Sequence, residues 1–157
     1  MKNLITAFFI LAAATMISAQ NTVTWKGGTP GNETSWTEAS NWSNNKVPNE
    51  FSKVVIKAMD SGHYAQPVIK GFVEVASIEI QAGANVTVEE EGTLIIEGAY
   101  NYTQGITFYG GSLTNKGEVN LNNIDEYVKE TYLNSVQGKG EIFIDGQKIN
   151  GPALAQK

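Results

Sequence analysis

Short apolar alternations, separated by glycine and asparagine, constrain this chain more than any other feature. Because alternation at a period of two indicates strands with one buried face, each alternation predicts a strand. Ile80, Val88 and Ile96 lie eight residues apart, so each strand runs for only four or five residues before the chain turns. Strands this short bury little surface alone and must stack on neighbours of their own kind. The alternations are Val73–Val75, Ile78–Ile80, Val86–Val88, Leu94–Ile96, Val119–Leu121 and Ile142–Ile144.

Two all-β architectures use such strands, a parallel β-solenoid and an antiparallel β-sandwich. The short strands favour the solenoid. So do the connections at 81–84 and 89–92, which lack the two-residue turns of tight hairpins. The sequence therefore predicts a solenoid, with the antiparallel β-sandwich as the alternative.

The chain is organised as a leader followed by a single domain. Lys2 precedes an apolar run from Leu4 to Met16, and Ala19 supplies a small residue at the cut, which is the layout of a cleaved secretory signal peptide over 1–19. The apolar run is shorter than the roughly 20 residues of a membrane span, so stable membrane insertion is not expected. We expect an exported protein, located in the periplasm, on the cell surface or outside the cell.

The domain, residues 20–157, divides into three parts. Residues 20–50 contain all three tryptophans and predict an N-terminal cap, and residues 51–123 predict the coils. Residues 124–157 predict a C-terminal cap with a short helix near 124–133, although 127–133 also suits a strand. Asp145–Gly146 between apolar alternations predicts a hairpin with a type I′ turn.

Composition excludes several function classes. The 157-residue chain carries a formal net charge of −5, which argues against nucleic acid and anionic lipid surfaces as partners. Cysteine is absent and His63 is the only histidine, which excludes histidine-clustered zinc sites and Cys–His pairs. No cofactor, metal site or catalytic residue is predicted.

The tryptophan region resembles a segment of secreted bacterial adhesin-like proteins. The resemblance lies in Trp25–Lys–Gly27, Trp36, Asn41–Trp42, Val47–Pro48 and Val54–Val55–Ile56. It implies that this segment opens a right-handed parallel β-helix at a cell surface, and it covers about residues 24–98.

Aromatic side chains supply two candidate sites. Trp25, Trp36 and Trp42 form either a hydrophobic lid over the first coil or a surface that stacks on sugar rings, and the lid is favoured because large aromatics are mostly buried. A second group lies around Gly98–Gly111 in a predicted loop, where binding residues are often found. This candidate ligand-binding group consists of Tyr100, Tyr102, Phe108 and Tyr109.

Carboxylates supply the alternative site. Glu79 and Glu97 are expected to point outward and to align on one lateral face, where a pair of carboxylates is what a glycosidase needs. A solvated acidic face is the commoner outcome.

These features together predict a non-catalytic surface or extracellular module. Its role would be adhesive or structural, or the binding of glycans or surface proteins. One alternative is a small glycan-active hydrolase that uses the outward glutamates. A third is a structural element that associates with further copies of itself through an exposed strand edge.

Overall fold

The computed structural model describes residues 21–58, 65–98 and 105–149. Of these residues 45% lie in strands and 11% in helices, so the fold is all-β, as predicted. No helix within the described ranges is both long enough and apolar enough to cross a bilayer. The elements are β1 (Asn21–Thr24), a 3-10 helix (Ala39–Asn41), β2 (Ser52–Ile56), β3 (Val68–Ile69), β4 (Phe72–Val75), β5 (Ser77–Gln81), β6 (Asn85–Val88), β7 (Thr93–Ile96), β8 (Ile106–Tyr109), β9 (Ser112–Asn115), β10 (Glu118–Leu121), α1 (Glu126–Ser135), β11 (Val136–Gly138), β12 (Glu141–Ile144) and β13 (Gln147–Lys148).

The strands form three sheets. Sheet I has the order β1-β2-β5-β8, sheet II has β11-β9-β6-β3, and sheet III has β13-β12-β10-β7-β4. Neighbouring strands pair in parallel, with the exception of β12 and β13. The predicted alternative of an antiparallel β-sandwich is therefore wrong.

Successive strands visit the three sheets in a fixed cycle. Strands β2, β3 and β4 lie in sheets I, II and III, and the same cycle repeats for β5–β7 and for β8–β10. We call each set of three a layer. In the fourth layer only β11 and β12 remain, and α1 packs against β8, the last strand of sheet I.

The aliphatic residues of the alternations meet in one core. In sheet III, Val73, Leu94, Val119 and Ile142 lie side by side in register, and all four are buried. The residues that alternate with them along each strand are more exposed. The period-two prediction of buried and outward side chains is therefore confirmed for these strands.

The C-terminal elements match the predicted helix and hairpin. Helix α1 begins after Asp125, whose carboxylate accepts a hydrogen bond from the Val128 N–H at 2.8 Å. The hairpin joins β12 to β13 through Asp145 and Gly146, whose φ angles of 48° and 74° are those of a type I′ turn. Both elements close the last layer, since α1 lies on sheet I and β13 ends sheet III.

Candidate functional site

The outer face of sheet II differs from the outer faces of the other two sheets because its side chains are uncharged. Alternation turns these residues outward, since the residues between them are buried. On the outer faces of the other two sheets, charged residues such as Lys53, Glu79, Glu74 and Glu118 are interspersed. We call the uncharged set the sheet II face. It consists of Gln66, Val68, Asn85, Thr87, Ser112, Thr114 and Gln137.

Hydrogen bonds hold the centre of the sheet II face in one arrangement. The Asn85 amide donates to Ser112 Oγ at 2.8 Å and to Thr114 Oγ1 at 3.2 Å. Its carbonyl oxygen accepts from Thr87 Oγ1 at 3.0 Å. Because the amide joins two neighbouring strands, these four side chains form a fixed array across β6 and β9.

This array leaves hydrogen-bonding capacity free for a ligand. The hydroxyls of Ser112 and Thr114 accept from Asn85, so each keeps its own proton to donate outward. Thr87 donates to Asn85 and keeps acceptor lone pairs. Neighbouring strands lie about 4.8 Å apart, and alternate residues of one strand about 6.7 Å apart, so the hydroxyls form a small two-dimensional grid.

Charged and aromatic residues border the face on opposite sides. Beyond β6 and β9, Glu89 and Lys116 form an ion pair at 3.2 Å. On the other side, Tyr109 ends β8 directly before the corner that leads to Ser112, and 62% of its surface is exposed. The uncharged grid therefore lies between an ion pair and an exposed aromatic ring.

The three tryptophans lie in the core, with no face available for a sugar ring. Trp25, Trp36 and Trp42 are 3%, 1% and 0% exposed. The Trp42 ring lies edge-on to the other two, with centroids 4.8 Å from Trp25 and 4.7 Å from Trp36. The alternative of a sugar-stacking surface made by these residues is wrong, because the rings pack on one another and on the first layer.

The predicted aromatic loop is only partly described, since Tyr100 and Tyr102 lie outside the described residues. Phe108 is half-buried and packs against the core, with its ring 6.3 Å from that of Tyr132 in α1. Phe108 therefore contributes to packing, and its role in binding a ligand stays a prediction. Of the two members that the structure describes, Tyr109 is the exposed one.

The structure does not bring Glu79 and Glu97 together. Glu79 belongs to β5 in sheet I, where Lys53 Nζ lies 3.5 Å from its carboxylate. Glu97 follows β7 of sheet III and accepts a hydrogen bond from the Asn122 amide at 3.2 Å. The prediction that they align on one lateral face is wrong, because they lie on different sheets.

The sheet II face was missed at the sequence level, although the sequence carries a signal for it. Asn85–Val–Thr87 and Ser112–Leu–Thr114 both place an aliphatic residue between two small polar ones. Both tripeptides occupy the same sheet in neighbouring layers. Repetition of this pattern would have indicated the face. Within the described ranges, no group of three His, Cys, Asp or Glu side chains is placed to hold a metal ion.

The fold and this face define an all-β protein of stacked parallel strands that presents a flat, uncharged polar surface. Residues 24–139 match the family described as "Domain of unknown function (DUF8693)", and the chain belongs to that family. No curated protein and no solved structure matches the chain.

Proposed function

We propose that this chain is an exported, non-catalytic binding module, built as a right-handed parallel β-helix, that binds a neutral glycan through the sheet II face. The single observation that carries the proposal is the hydrogen-bonded array of Asn85, Thr87, Ser112 and Thr114 in a chain of net negative charge. The parallel pairing of strands and their cyclic order through three sheets support the β-helix. The N-terminal leader pattern and the resemblance to adhesin-like proteins support export to a cell surface.

A neutral glycan matches the chemistry of the face. Sugar hydroxyls and ring oxygens both donate and accept hydrogen bonds, and the array offers donors at Ser112 and Thr114 and an acceptor at Thr87. A phosphate or carboxylate ligand would meet a negatively charged protein without a cation on the face itself. The exposed ring of Tyr109 at the border offers an apolar surface for one sugar ring.

The fixed array favours binding because little side-chain freedom is lost. Ordering a mobile side chain on binding costs about 0.5–1.5 kcal/mol, and the Asn85 bonds already restrict their partners. A grid that extends over two layers also suits a polymer, since several sugar units contact one flat face. Each contact is weak, and the sum over several units gives useful affinity.

Affinity electrophoresis against a panel of neutral and acidic polysaccharides tests the proposal. We expect one or more neutral polysaccharides to retard the protein and acidic ones to leave its migration unchanged. Thr114→Glu should abolish retardation, because it places a charge within the grid. Thr107→Glu is the matched control, since Thr107 is a half-buried outward residue of sheet I. The Thr107→Glu variant should bind the polysaccharide normally.

Removing hydroxyls without adding charge gives a finer test. The double variant Ser112→Ala with Thr114→Val should lose most of the retardation while its melting temperature stays close to that of the wild type. Normal retardation of this variant, or of Thr114→Glu, would show that the glycan does not bind through the sheet II face. Release of sugar from the polysaccharide would contradict a non-catalytic role.

Export has its own measurement. We expect the protein purified from its native source to begin at Gln20, as read by intact mass. An intact N-terminus that begins at Met1 would contradict removal of a signal peptide.

A further inference from the structure

The first strand of sheet III has an open edge. Strand β4 is the terminal strand of the sheet and pairs with β7 on one side. Thr93 N donates to Gly71 O at 3.1 Å and Glu97 N donates to Val75 O at 3.0 Å, so the odd-numbered residues of β4 turn their backbone groups toward β7. In a parallel pair alternate residues face opposite ways, so Phe72 and Glu74 turn theirs outward.

No described residue bonds to these outward groups. The other two sheets are covered at the same end. Strand β1 pairs with β2 in sheet I, and Ser35 forms a parallel bridge with Val68 in sheet II. Sheet III has no such cover among the described residues, and its backbone N–H and C=O groups at Phe72 and Glu74 are free to pair with an added strand.

Exposed apolar side chains concentrate around this edge. Five large apolar side chains are exposed among the described residues, and three of them belong to the first layer or to the segment before it. Phe72 is 66% exposed and Phe51 is 59% exposed, while Val47 is 40% exposed. A groove of about 400 Å³ lies beside the edge, between residues 31–37 of the cap and residues 68–73.

The charge beside the edge is negative around Glu74, whereas Lys70 lines the groove. Desolvation raises the pKa of Glu74, and the charges of Glu97 and Glu50 raise it further, so the three carboxylates lie in one region. Farther along the same outer face lie Glu118 and Glu141, of which Glu141 is paired with Lys148. A strand that pairs here therefore gains most if its outward side chains are basic.

We propose that the β4 edge is a docking site for an extended segment of a partner protein, in which lysine or arginine alternates with apolar residues. The segment adds a strand to sheet III by hydrogen bonding to the backbone of Phe72 and Glu74. Its basic side chains lie on the outer face, beside Glu74 and its neighbouring carboxylates, and its apolar side chains turn to the opposite face, toward the groove. This site lies on a different sheet from the proposed glycan-binding face.

Two synthetic peptides of equal length serve as probes, one alternating lysine with valine and one alternating glutamate with valine. Amide hydrogen exchange of the full protein is followed with and without each peptide. The lysine peptide should slow exchange at Phe72 and Glu74 at least tenfold, and leave Val73 and Val75 unchanged because they already bond to β7. The glutamate peptide should have no effect.

Variants at Glu74 separate charge from backbone pairing. Glu74→Gln should weaken binding of the lysine peptide several-fold, whereas Glu118→Gln, on the same face but two strands away, should change it less than twofold. Glu74→Pro removes an outward N–H without removing a bond to β7, so it should abolish protection at Phe72. Circular dichroism checks that this variant folds, and Glu74→Gln serves as the test if it does not.

Three outcomes would overturn the proposal. Equal protection by both peptides would contradict the proposal that the partner segment is basic. If neither peptide slows exchange at Phe72 and Glu74, the β4 edge is not a docking site. Protection that grows with protein concentration alone, together with a sedimenting dimer, would make a second copy of this chain the occupant.

Discussion

Trp36 and Trp42 of the cap differ in whether the indole N–H has a hydrogen-bond acceptor. The Trp42 indole N–H donates to the Trp36 carbonyl at 2.8 Å. The Trp36 indole nitrogen is buried and has no partner among the described residues. Both rings are 1% exposed or less, so their apolar environments are closely matched.

This difference predicts unequal effects of the same substitution. Trp42→Phe and Trp36→Phe remove the same atoms, but only the first leaves a carbonyl without its donor. We expect Trp42→Phe to destabilise the fold by about 1–2 kcal/mol more than Trp36→Phe, which is the cost of one buried hydrogen bond. Urea unfolding followed by circular dichroism measures both, and equal losses would contradict the assigned bond.

Tyr132 makes the stability depend on pH in the alkaline range. Tyr132 belongs to α1, and its ring is fully buried beside Phe108 of β8. Burial raises the pKa of its hydroxyl far above the ordinary value of 10.0. Above pH 10 the unfolded chain loses this proton while the folded chain keeps it. The folded state then binds more protons, so its stability falls as pH rises.

The expected slope is about 1.4 kcal/mol per pH unit for this one group above pH 10. Tyr132→Phe should remove that part of the slope. At pH 7 the variant should lose little or no stability, because the hydroxyl has no partner among the described residues. Denaturant unfolding at pH 8, 10 and 11 gives both values, and an unchanged slope in the variant would contradict burial of the hydroxyl.

At the scale of the elements, a column of glycines forms the corner between sheets II and III. Each of these residues directly precedes a strand of sheet III. A Cβ added at Gly117 would overlap the carbonyl oxygens of Glu89 and Gly92, and one added at Gly140 would come within 2.5 Å of the Gly117 oxygen. Layers approach so closely here that only glycine fits. The column consists of Gly71, Gly92, Gly117 and Gly140.

The first glycine of the column supplies a matched control. A Cβ at Gly71 would meet no atom within 4 Å, because no layer lies before it. We expect Gly117→Ala to cost about 2–4 kcal/mol through displaced backbone, and Gly71→Ala to change stability by less than about 0.5 kcal/mol. Thermal melts of the two variants measure this difference, and similar losses at both sites would contradict close contact between layers.

Sequence patterns determine which side chains point inward but not which sheet they join. Period-two alternation correctly assigned Val73, Leu94 and Val119 to the core, because burial of one strand face is a local property. The prediction that Glu79 and Glu97 lie on one face was wrong because alternation does not show where the chain turns from one sheet to the next. Two corners separate them, so they lie on different sheets.

The length of a layer explains why spacing alone could not correct that error. Residues that lie side by side are 21 apart for Val73 and Leu94 but 28 apart for Ile78 and Ile106. Insertions at corners change the repeat from layer to layer, so no fixed period aligns the outward residues. The sheet II face depends on that alignment, whereas the Asp145–Gly146 hairpin, which is encoded locally, was predicted correctly.

At the scale of the whole molecule, contacts run mainly between neighbouring layers. Each sheet strand pairs with strands of the adjacent layers, and the two ends carry different structures, the tryptophan-containing cap at one end and α1 with the hairpin at the other. In such a stack, stability is approximately a sum over layers and the interfaces between them. Loss of one end cap should therefore affect nearby layers more than distant ones.

Val128→Ala tests this coupling. Val128 is 2% exposed in α1, so the substitution removes packing at the C-terminal end alone. In native-state hydrogen exchange we expect protection to fall in α1, β8 and β11, and to remain within about threefold of the wild type in β1 and β2. A second variant, Val23→Ala in β1, is the mirror control and should lower protection in β1 and β2 while sparing α1. An equal fall throughout the chain in both variants would mean that the layers unfold as one cooperative unit, because local opening would then cost as much as complete unfolding.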